Sequence, residues 1–565
     1  MMLYNLHEMN RVTMTPLTYA SSLVAETFSN PFSPYSYIPG SRRIAARFDI
    51  MNRLNKEYKK PEWMIDEVEI NGKAVSVKPE VIDSKPFCNL VHFQRSASKN
   101  PEGDPSVLIV APISGHHATL LRDTVKRMLT DFDVYITDWV DARNVPVNQG
   151  AFDLDENVQY VISSLQTINK PAHVVAVCQP CAPVFAAVSL MSQRNDPFVP
   201  LSMTLMGGPI DTDKSPTIVN NLADQHPLAW FESQMIQRVP LRYPGGGRLV
   251  YPGFMQLMGF LAMNPRNHTK SYYEYYLDLM RGNEPEAEKH RSFYDEYNAV
   301  CDLPAEFYLQ TVKVIFQDNA LVKGTWQIDG HLIDPSAITS TALLVVEGEL
   351  DDITGIGQTS AAIDLATNIP PEKKKSFIAE GSGHYGIFSG TRWRTKIFPV
   401  VADFIYEAQK DEEVQLLARL RADVEEAIRK ENEAKARIAA HKKQQSSDSS
   451  NIVSDVSETP AEVAAPESTE AQVEAVSPDI VEAQTESVAP ESTEAQAEST
   501  APEATATETS VQASLDGIAE STTNSATPAT TTSSATPAST TRTTTKRTTS
   551  KRVTNKRAGT RYGRR

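Results

Sequence analysis

From residue 106 onward the chain alternates short apolar runs with longer stretches whose apolar residues recur at helical spacing. The runs fall at 107–112, 134–138, 173–177, 201–206, 342–347 and 375–379. Helical spacing covers 119–131, 156–166, 183–192, a short stretch near Ala361, and 394–408. Buried strands alternating with helices predict a mostly parallel α/β sheet. The alternation breaks once, over 211–338, which is rich in Tyr, Phe, Trp, Met and Pro. An insertion between the later strands of such a sheet predicts a cap over the strand ends. Residues 1–100 read as a helical start followed by short irregular strands, so the regular domain spans 101–408.

Beyond residue 408 the pattern changes character. Residues 409–445 are dense in Glu, Lys, Arg and Ala with Leu at helical spacing, which predicts a charged helix. Over 446–541 core-forming residues vanish, and Ala-Pro-Glu-Ser-Thr-Glu-Ala-Gln occurs at 465 and again at 489. From Asn451 to Thr541 there are 16 acidic residues and no Lys or Arg, a composition that predicts a disordered acidic linker. The sign then reverses: 542–565 carries ten Lys or Arg and no acid, with basic pairs every five residues. Such an arm suits a phosphate backbone, so nucleic acid or polyphosphate is an expected partner; a solubilising tail, or one folded onto the acidic linker, is the competing reading. The overall charge of -16 conceals this segregation.

Four cysteines are too few for a disulfide framework. The first residues lack a basic stretch followed by an apolar run, and no apolar run approaches the roughly 20 residues that span a bilayer. The expected setting is therefore cytoplasmic, with reduced thiols and no transmembrane segment.

The candidate chemistry lies where strands end. The run His173-Val-Val-Ala-Val ends in Cys178-Gln-Pro-Cys181 and is followed by an apolar helix. Strand, sharp turn, nucleophile and helix make a nucleophile elbow, and a thiol at a helix N-terminus has its thiolate favoured. A buried cysteine is otherwise a small inert hydrophobe. The strand at 342–347 runs into Gly348-Glu-Leu-Asp351-Asp352, which places carboxylates at the ligand-collecting edge of the sheet. The last strand runs into Gly381-Ser-Gly-His384, a histidine in a loop free to reach the thiol. Nucleophile, acid, histidine is the chain order of α/β-hydrolases, and the expected fold is an α/β-hydrolase with an inserted cap domain.

In that reading His384 is general base and acid to Cys178, and Asp351 orients the histidine, although Asp352 stands beside it. The oxyanion is expected on the N–H of Gln179, the residue after the nucleophile, and on the N–H of Ser114, in the loop after the first core strand. Two alternatives use the same residues. Cys178 and Cys181 form a C-x-x-C, but a redox unit of that kind is much smaller than this sheet and leaves the Asp and His loops idle. His116 and His117 form a candidate metal pair, but adjacent side chains diverge and no further ligand stands at the right spacing, so no metal is expected.

Five segments also carry a family resemblance: Val175-Ala-Val-Cys-Gln-Pro180, Pro112-Ile-Ser-Gly-His-His-Ala-Thr-Leu-Leu-Arg122, residues 134–146, residues 348–358, and Gly383-His-Tyr-Gly-Ile-Phe-Ser-Gly390. In them the chain resembles the intracellular poly(3-hydroxybutyrate) depolymerases of polymer-storing bacteria, over about residues 1–408. The resemblance implies a Cys-His-Asp triad acting on polyester at the surface of cytoplasmic storage granules, and favours Asp351 over Asp352 as the acid. The reaction implied is ester cleavage through a 3-hydroxyacyl thioester, released by water or by coenzyme A as acyl acceptor; no other cofactor is implied. Residues 307–323 are similar to polyester synthases, which leaves a synthase-like acyltransferase as an alternative. Synthases, however, carry a Gly-x-Cys-x-Gly box where this chain has Cys178-Gln-Pro. A non-catalytic granule-surface scaffold is the third reading. The cap aromatics Trp230, Phe231, Tyr251, Phe254 and Phe260 suit an apolar substrate or plain core packing. Neither chain-length preference nor oligomeric state is set by the sequence.

Overall fold

The structure, a computed structural model, describes residues 2–414 and scattered positions as far as Glu433. The rest of the charged segment expected at 409–445, the acidic stretch 446–541 and the basic tail 542–565 lie outside the described residues. The chain divides into two units, Met1–Val456 and Ser457–Arg565, and the described residues belong to the first.

Two helices come first, α1 (Met2–Ser29) and α2 (Ser41–Asn55). Three strands follow, β1 (Glu67–Ile70), β2 (Lys73–Lys85) and β3 (Cys88–Arg95). The alternating core then begins with β4 (Ser106–Val110), α3 (Arg122–Met128), β5 (Asp133–Trp139), α4 (Leu154–Ile168), β6 (Ala172–Val177), α5 (Cys181–Gln193) and β7 (Ser202–Met206). Every residue of β4, β6 and β7 is buried. Helices on both faces remove such strands from water, which is why they read as unbroken apolar runs.

The cap carries α6 (Ile218–Gln225), α7 (Leu228–Met235), β8 (Gln237–Arg238), β9 (Leu249–Tyr251), α8 (Gly253–Met263), α9 (Pro265–Arg281), α10 (Glu284–Tyr297) and β10 (Leu303–Pro304). A small hairpin, β11 (Gln327–Ile328) with β12 (His331–Leu332), closes it. The sheet resumes with β13 (Ala342–Gly348) and β14 (Lys374–Ala379), and a helix running through residues 398–414 follows.

The nine strands are ordered β1-β2-β3-β5-β4-β6-β7-β13-β14. From β5 to β14 all neighbours are parallel; β1, β2 and β3 form an antiparallel edge, with β3 paired to β5. With β3 antiparallel, β4 and β5 exchanged in order, and the nucleophile, acid and histidine loops after β6, β13 and β14, this is an α/β-hydrolase sheet.

The irregular strands expected before residue 100 are thus regular members of the main sheet, which begins at Glu67. Their signal is weak because edge strands are half solvated: β2 buries only two of its 13 residues, Val75 and Val77. The two N-terminal helices join the cap instead. Helix α2 packs on α9, Arg53 pairs with Asp295 at 2.9 Å, and the Tyr275 hydroxyl donates to Asp49 at 2.6 Å.

Candidate active site

The site is built from five strand ends. At the end of β6 the backbone turns sharply, and Cys178 has φ +68°, a conformation that costs a non-glycine residue energy. The turn is held by the Cys178 N–H, which donates to the Met206 carbonyl at 2.8 Å, and by the Cys181 N–H, which donates back to the Cys178 carbonyl at 3.1 Å. Helix α5 starts at Cys181 with Pro180 as its N-cap, and all of Cys181–Met191 is buried. Pro180 lacks an N–H at a place where a helix leaves N–H groups unpaired, so nothing is lost.

The close turn needs space, and Gly207-Gly208 after β7 provides it. A Cβ on Gly208 would stand 2.2 Å from the Cys178 carbonyl oxygen; one on Gly207 would stand 2.5 Å from Ile387 and 3.3 Å from Asp351 Oδ2. This glycine pair is a part of the site that the sequence reading missed; its signal was two glycines directly after a buried strand.

Asp351 and His384 meet at the ends of β13 and β14. His384 Nδ1 donates to Asp351 Oδ2 at 2.8 Å, and both side chains are buried. The other carboxylate oxygen, Oδ1, accepts the N–H groups of Ile353 and Thr354, each at 2.9 Å, which fixes its direction. Asp352 points away and accepts from Asn264 of the cap at 2.6 Å. Glu347, also missed by the sequence reading, holds the loop after β13 by accepting the N–H groups of Gly357, Thr359 and Ser360.

His384 sits well above the usual imidazole range. Burial works against its charge, but the charge of Cys178 outweighs it together with the Asp351 carboxylate and hydrogen bonds to both. The arrangement therefore favours a protonated imidazole facing Cys178. Cys181 is a different thiol. It is fully buried, contacts the carbonyls of Ala176 and Met206, and is pushed well up by burial.

The loop after β4 is anchored at both ends. Trp139 Nε1 donates to the Ala111 carbonyl at 2.7 Å, and the Cys301 N–H of the cap donates to the Gly115 carbonyl at 2.6 Å. The Gln179 side chain accepts the Ile113 N–H at 3.3 Å, tying this loop to the elbow. The backbone N–H groups of Gln179 and Ser114 donate to no other group among the described residues. Two free N–H groups at these positions can stabilise a developing oxyanion.

His116 and His117 flank that loop and are buried neutral; desolvation pulls them down to about 4 and about 3. His116 Nε2 donates to the Tyr297 carbonyl at 3.1 Å. Among the described residues no three His, Cys, Asp or Glu side chains group as metal ligands.

Of the five cap aromatics, Phe260 comes to this loop, stacking on His116 with centroids 5.1 Å apart. Trp230 and Phe231 pack on each other, Tyr251 on Tyr308, and Phe254 on Tyr4 and His7. Tyr385, missed by the sequence reading, follows His384 and packs with Phe293 and Tyr297.

Residues 207–409 match the family model described as PHB de-polymerase C-terminus. A search of curated protein sequences finds no match. Solved structures similar in fold include a putative lipase from Acinetobacter baumannii AYE, with 15% identity, 59% of this chain and 93% of that chain covered, and a TM-score of 0.32. Others are a monoacylglycerol lipase from Paleococcus ferrophilus (13% identity, 54% and 96% covered, TM-score 0.34) and 2-hydroxy-6-oxo-6-phenylhexa-2,4-dienoate hydrolase from Rhodococcus sp. strain RHA1 (13%, 59% and 99%, TM-score 0.32). The family match covers the cap, the Asp351 and His384 loops and most of the closing helix; over these residues the chain is similar to PHB depolymerases, which supports a carboxylic ester hydrolase.

Proposed function

We propose that the chain cleaves the ester bonds of stored polyhydroxybutyrate with Cys178 as nucleophile, His384 as general base and acid, and Asp351 as the orienting carboxylate. The observation that carries this reading is the 2.8 Å His384–Asp351 pair set against a cysteine held at φ +68° on a strand–helix elbow.

In the first step the Cys178 sulfur attacks an ester carbonyl carbon. The thiol proton passes to His384 Nε2, since Nδ1 is engaged by Asp351. The carbonyl oxygen takes up negative charge and receives the N–H groups of Gln179 and Ser114. As the tetrahedral species collapses, the C–O bond to the rest of the polymer breaks. His384 gives its proton to the departing alkoxide, leaving a 3-hydroxyacyl thioester on Cys178. A water or the thiol of coenzyme A then attacks this thioester, giving up its proton to His384. The product is a free 3-hydroxy acid or an acyl-CoA, and Cys178 is regenerated. The site of action is the surface of the storage granule.

Cys178→Ala removes the only atom that forms the covalent bond. Polymer release from native granules is expected to fall by at least about 10⁴-fold, as for other covalent nucleophiles. Release at the wild-type rate contradicts the assignment. Running the wild type with and without coenzyme A, and separating free acid from acyl-CoA, identifies the acceptor.

A further inference from the structure

Helix α1 turns one face inward, with Tyr4, Glu8, Thr18, Ser21 and Ala25 buried. Its opposite face is apolar and open to solvent. Leu6, Met9, Val12, Pro16, Tyr19 and Leu23 are all exposed there, Met9 by 67% and Tyr19 by 74%. Of the three charged residues of the helix, Glu8 and Arg11 are engaged in ion pairs with each other and with Arg242 and Glu57, and Glu26 lies near the C-terminal end. The loop after α1 continues the surface with Phe32, 93% exposed, Tyr35 and Tyr37. A helix of 28 residues is about 42 Å long, so this is far more than a scattered apolar residue.

The same helix is linked to the site from its inward side. His7 of α1 stacks on Phe254 of α8 at 4.0 Å, and Phe260, two turns further along α8, stacks on His116 beside the Ser114 loop. Helix α8 has no charged residue; its single polar side chain other than glycine, Gln256, is buried, and Met258 is half exposed. Ring contacts thus run from the inward side of α1, across α8, to the loop that carries the Ser114 N–H.

We propose that the outer face of α1, with the Phe32–Tyr37 loop, is where the protein docks on amorphous polyester. The inference rests on the polyester reading above and adds the surface that delivers the substrate. A polyester is uncharged and apolar, and its repeating ester groups accept hydrogen bonds but donate none. The face largely matches it: its one charge is Glu26 at the C-terminal end, and among the described residues the hydroxyls of Tyr19 and Tyr35 make no hydrogen bond, so they can donate. An anionic lipid surface calls for Lys and Arg, which this face lacks. The chain's own 446–565 segment, with few apolar residues, is poorly suited to cover it.

The test reads binding rather than turnover, so it stays informative even if Cys178 is not the nucleophile. Full-length protein in the Cys178→Ala background is mixed with emulsified amorphous polyhydroxybutyrate particles and sedimented. Adding Leu6→Glu, Val12→Glu and Tyr19→Glu together is expected to lower the bound fraction at least tenfold, and Tyr19→Glu alone severalfold, with unchanged melting temperatures. Undiminished binding overturns the proposal. So does a wild-type dimer that the substitutions dissociate, which assigns the face to a second copy. Equal binding of the wild type to phosphatidylcholine vesicles, lost in the same variants, assigns it to a lipid surface instead and overturns it as well.

Discussion

A Cβ added at Gly208, after β7, would stand 2.2 Å from the Cys178 carbonyl oxygen and 2.4 Å from the Cys181 Cβ; one added at Gly259, on α8, would meet nothing within 4 Å. The two glycines belong to regions built on opposite principles. The strand ends around Cys178 sit in a fully buried frame, where each backbone segment is fixed by a neighbour and a methyl group is an intrusion. Helices α1 and α8 leave apolar side chains in water and have room to spare. Covalent chemistry needs the first kind of surface, since a thiol misplaced by an ångström loses its near-attack geometry. An insoluble substrate needs the second kind, because a surface that is to bury apolar area on contact must leave it exposed beforehand.

The sharpest way to break this contrast is at the adjacent acids. Asp351→Asn is expected to reduce kcat by about 10⁴-fold, because the amide no longer orients and stabilises the His384 imidazolium. Asp352→Asn, whose side-chain hydrogen bond goes to Asn264 of the cap and not to His384, is expected to leave kcat near wild type. Steady-state rates on a short oligoester check both, and equal effects would erase the distinction between the two positions.

The glycines come next. Gly208→Ala is expected to cost about 1–3 kcal/mol of stability and to lower activity as the elbow shifts. Gly259→Ala, in an open helical position, is expected to stabilise by up to about 1 kcal/mol. Denaturant melts of both variants check this.

The smallest effect is shared by the two regions. His116, His117, His173 and His290 are held neutral by burial at about 4, 3, 4 and 4. The unfolded chain protonates each near 6.5, so their contribution is full above that value and is lost as pH falls through the folded values. Asp302 works in the opposite sense: burial and the nearby Asp141 raise it to about 7, so its contribution is present at low pH and lost as pH rises through 7. His384, held above its usual range, adds to the sense of Asp302, while His7 and His268 are lowered and add to the other, so the lowered histidines outnumber the opposing groups and the net is a loss toward acid. The melting temperature is expected to be lower at about pH 5 than at about pH 7, and His173→Gln to make that dependence shallower.

Much of the buried frame is readable from sequence, because burial on both faces leaves an unmistakable run: β4, β6, β7 and β13 lie within a residue or so of their apolar stretches. Cys178 and Asp351 are readable for the same reason, since each follows such a strand; His384 follows β14, an edge strand in which only Ala379 is buried, and is marked instead by its Gly-rich loop. What escaped depends on contacts between distant segments. The close approach of Gly208 to Cys178, the bond from Ile113 to the Gln179 side chain and the clamp of Glu347 on its loop have no local pattern. The strands before residue 100 read only as short and irregular because β1 and β2 are largely solvated. The exposed face of α1 was hidden by its own composition: apolar residues at helical spacing look alike whether they point into a core or away from it.

The central claim is that the Cys178 sulfur carries the acyl group. Polyester oligomer is mixed with enzyme, quenched in acid during turnover, and the digested peptides are weighed. The expected result is one 3-hydroxybutyryl unit, or a short oligomer of it, on the peptide containing Cys178, assigned by fragmentation to that residue and absent from Cys178→Ala. An adduct on Cys181, or sustained polymer release with Cys178 absent, would contradict it.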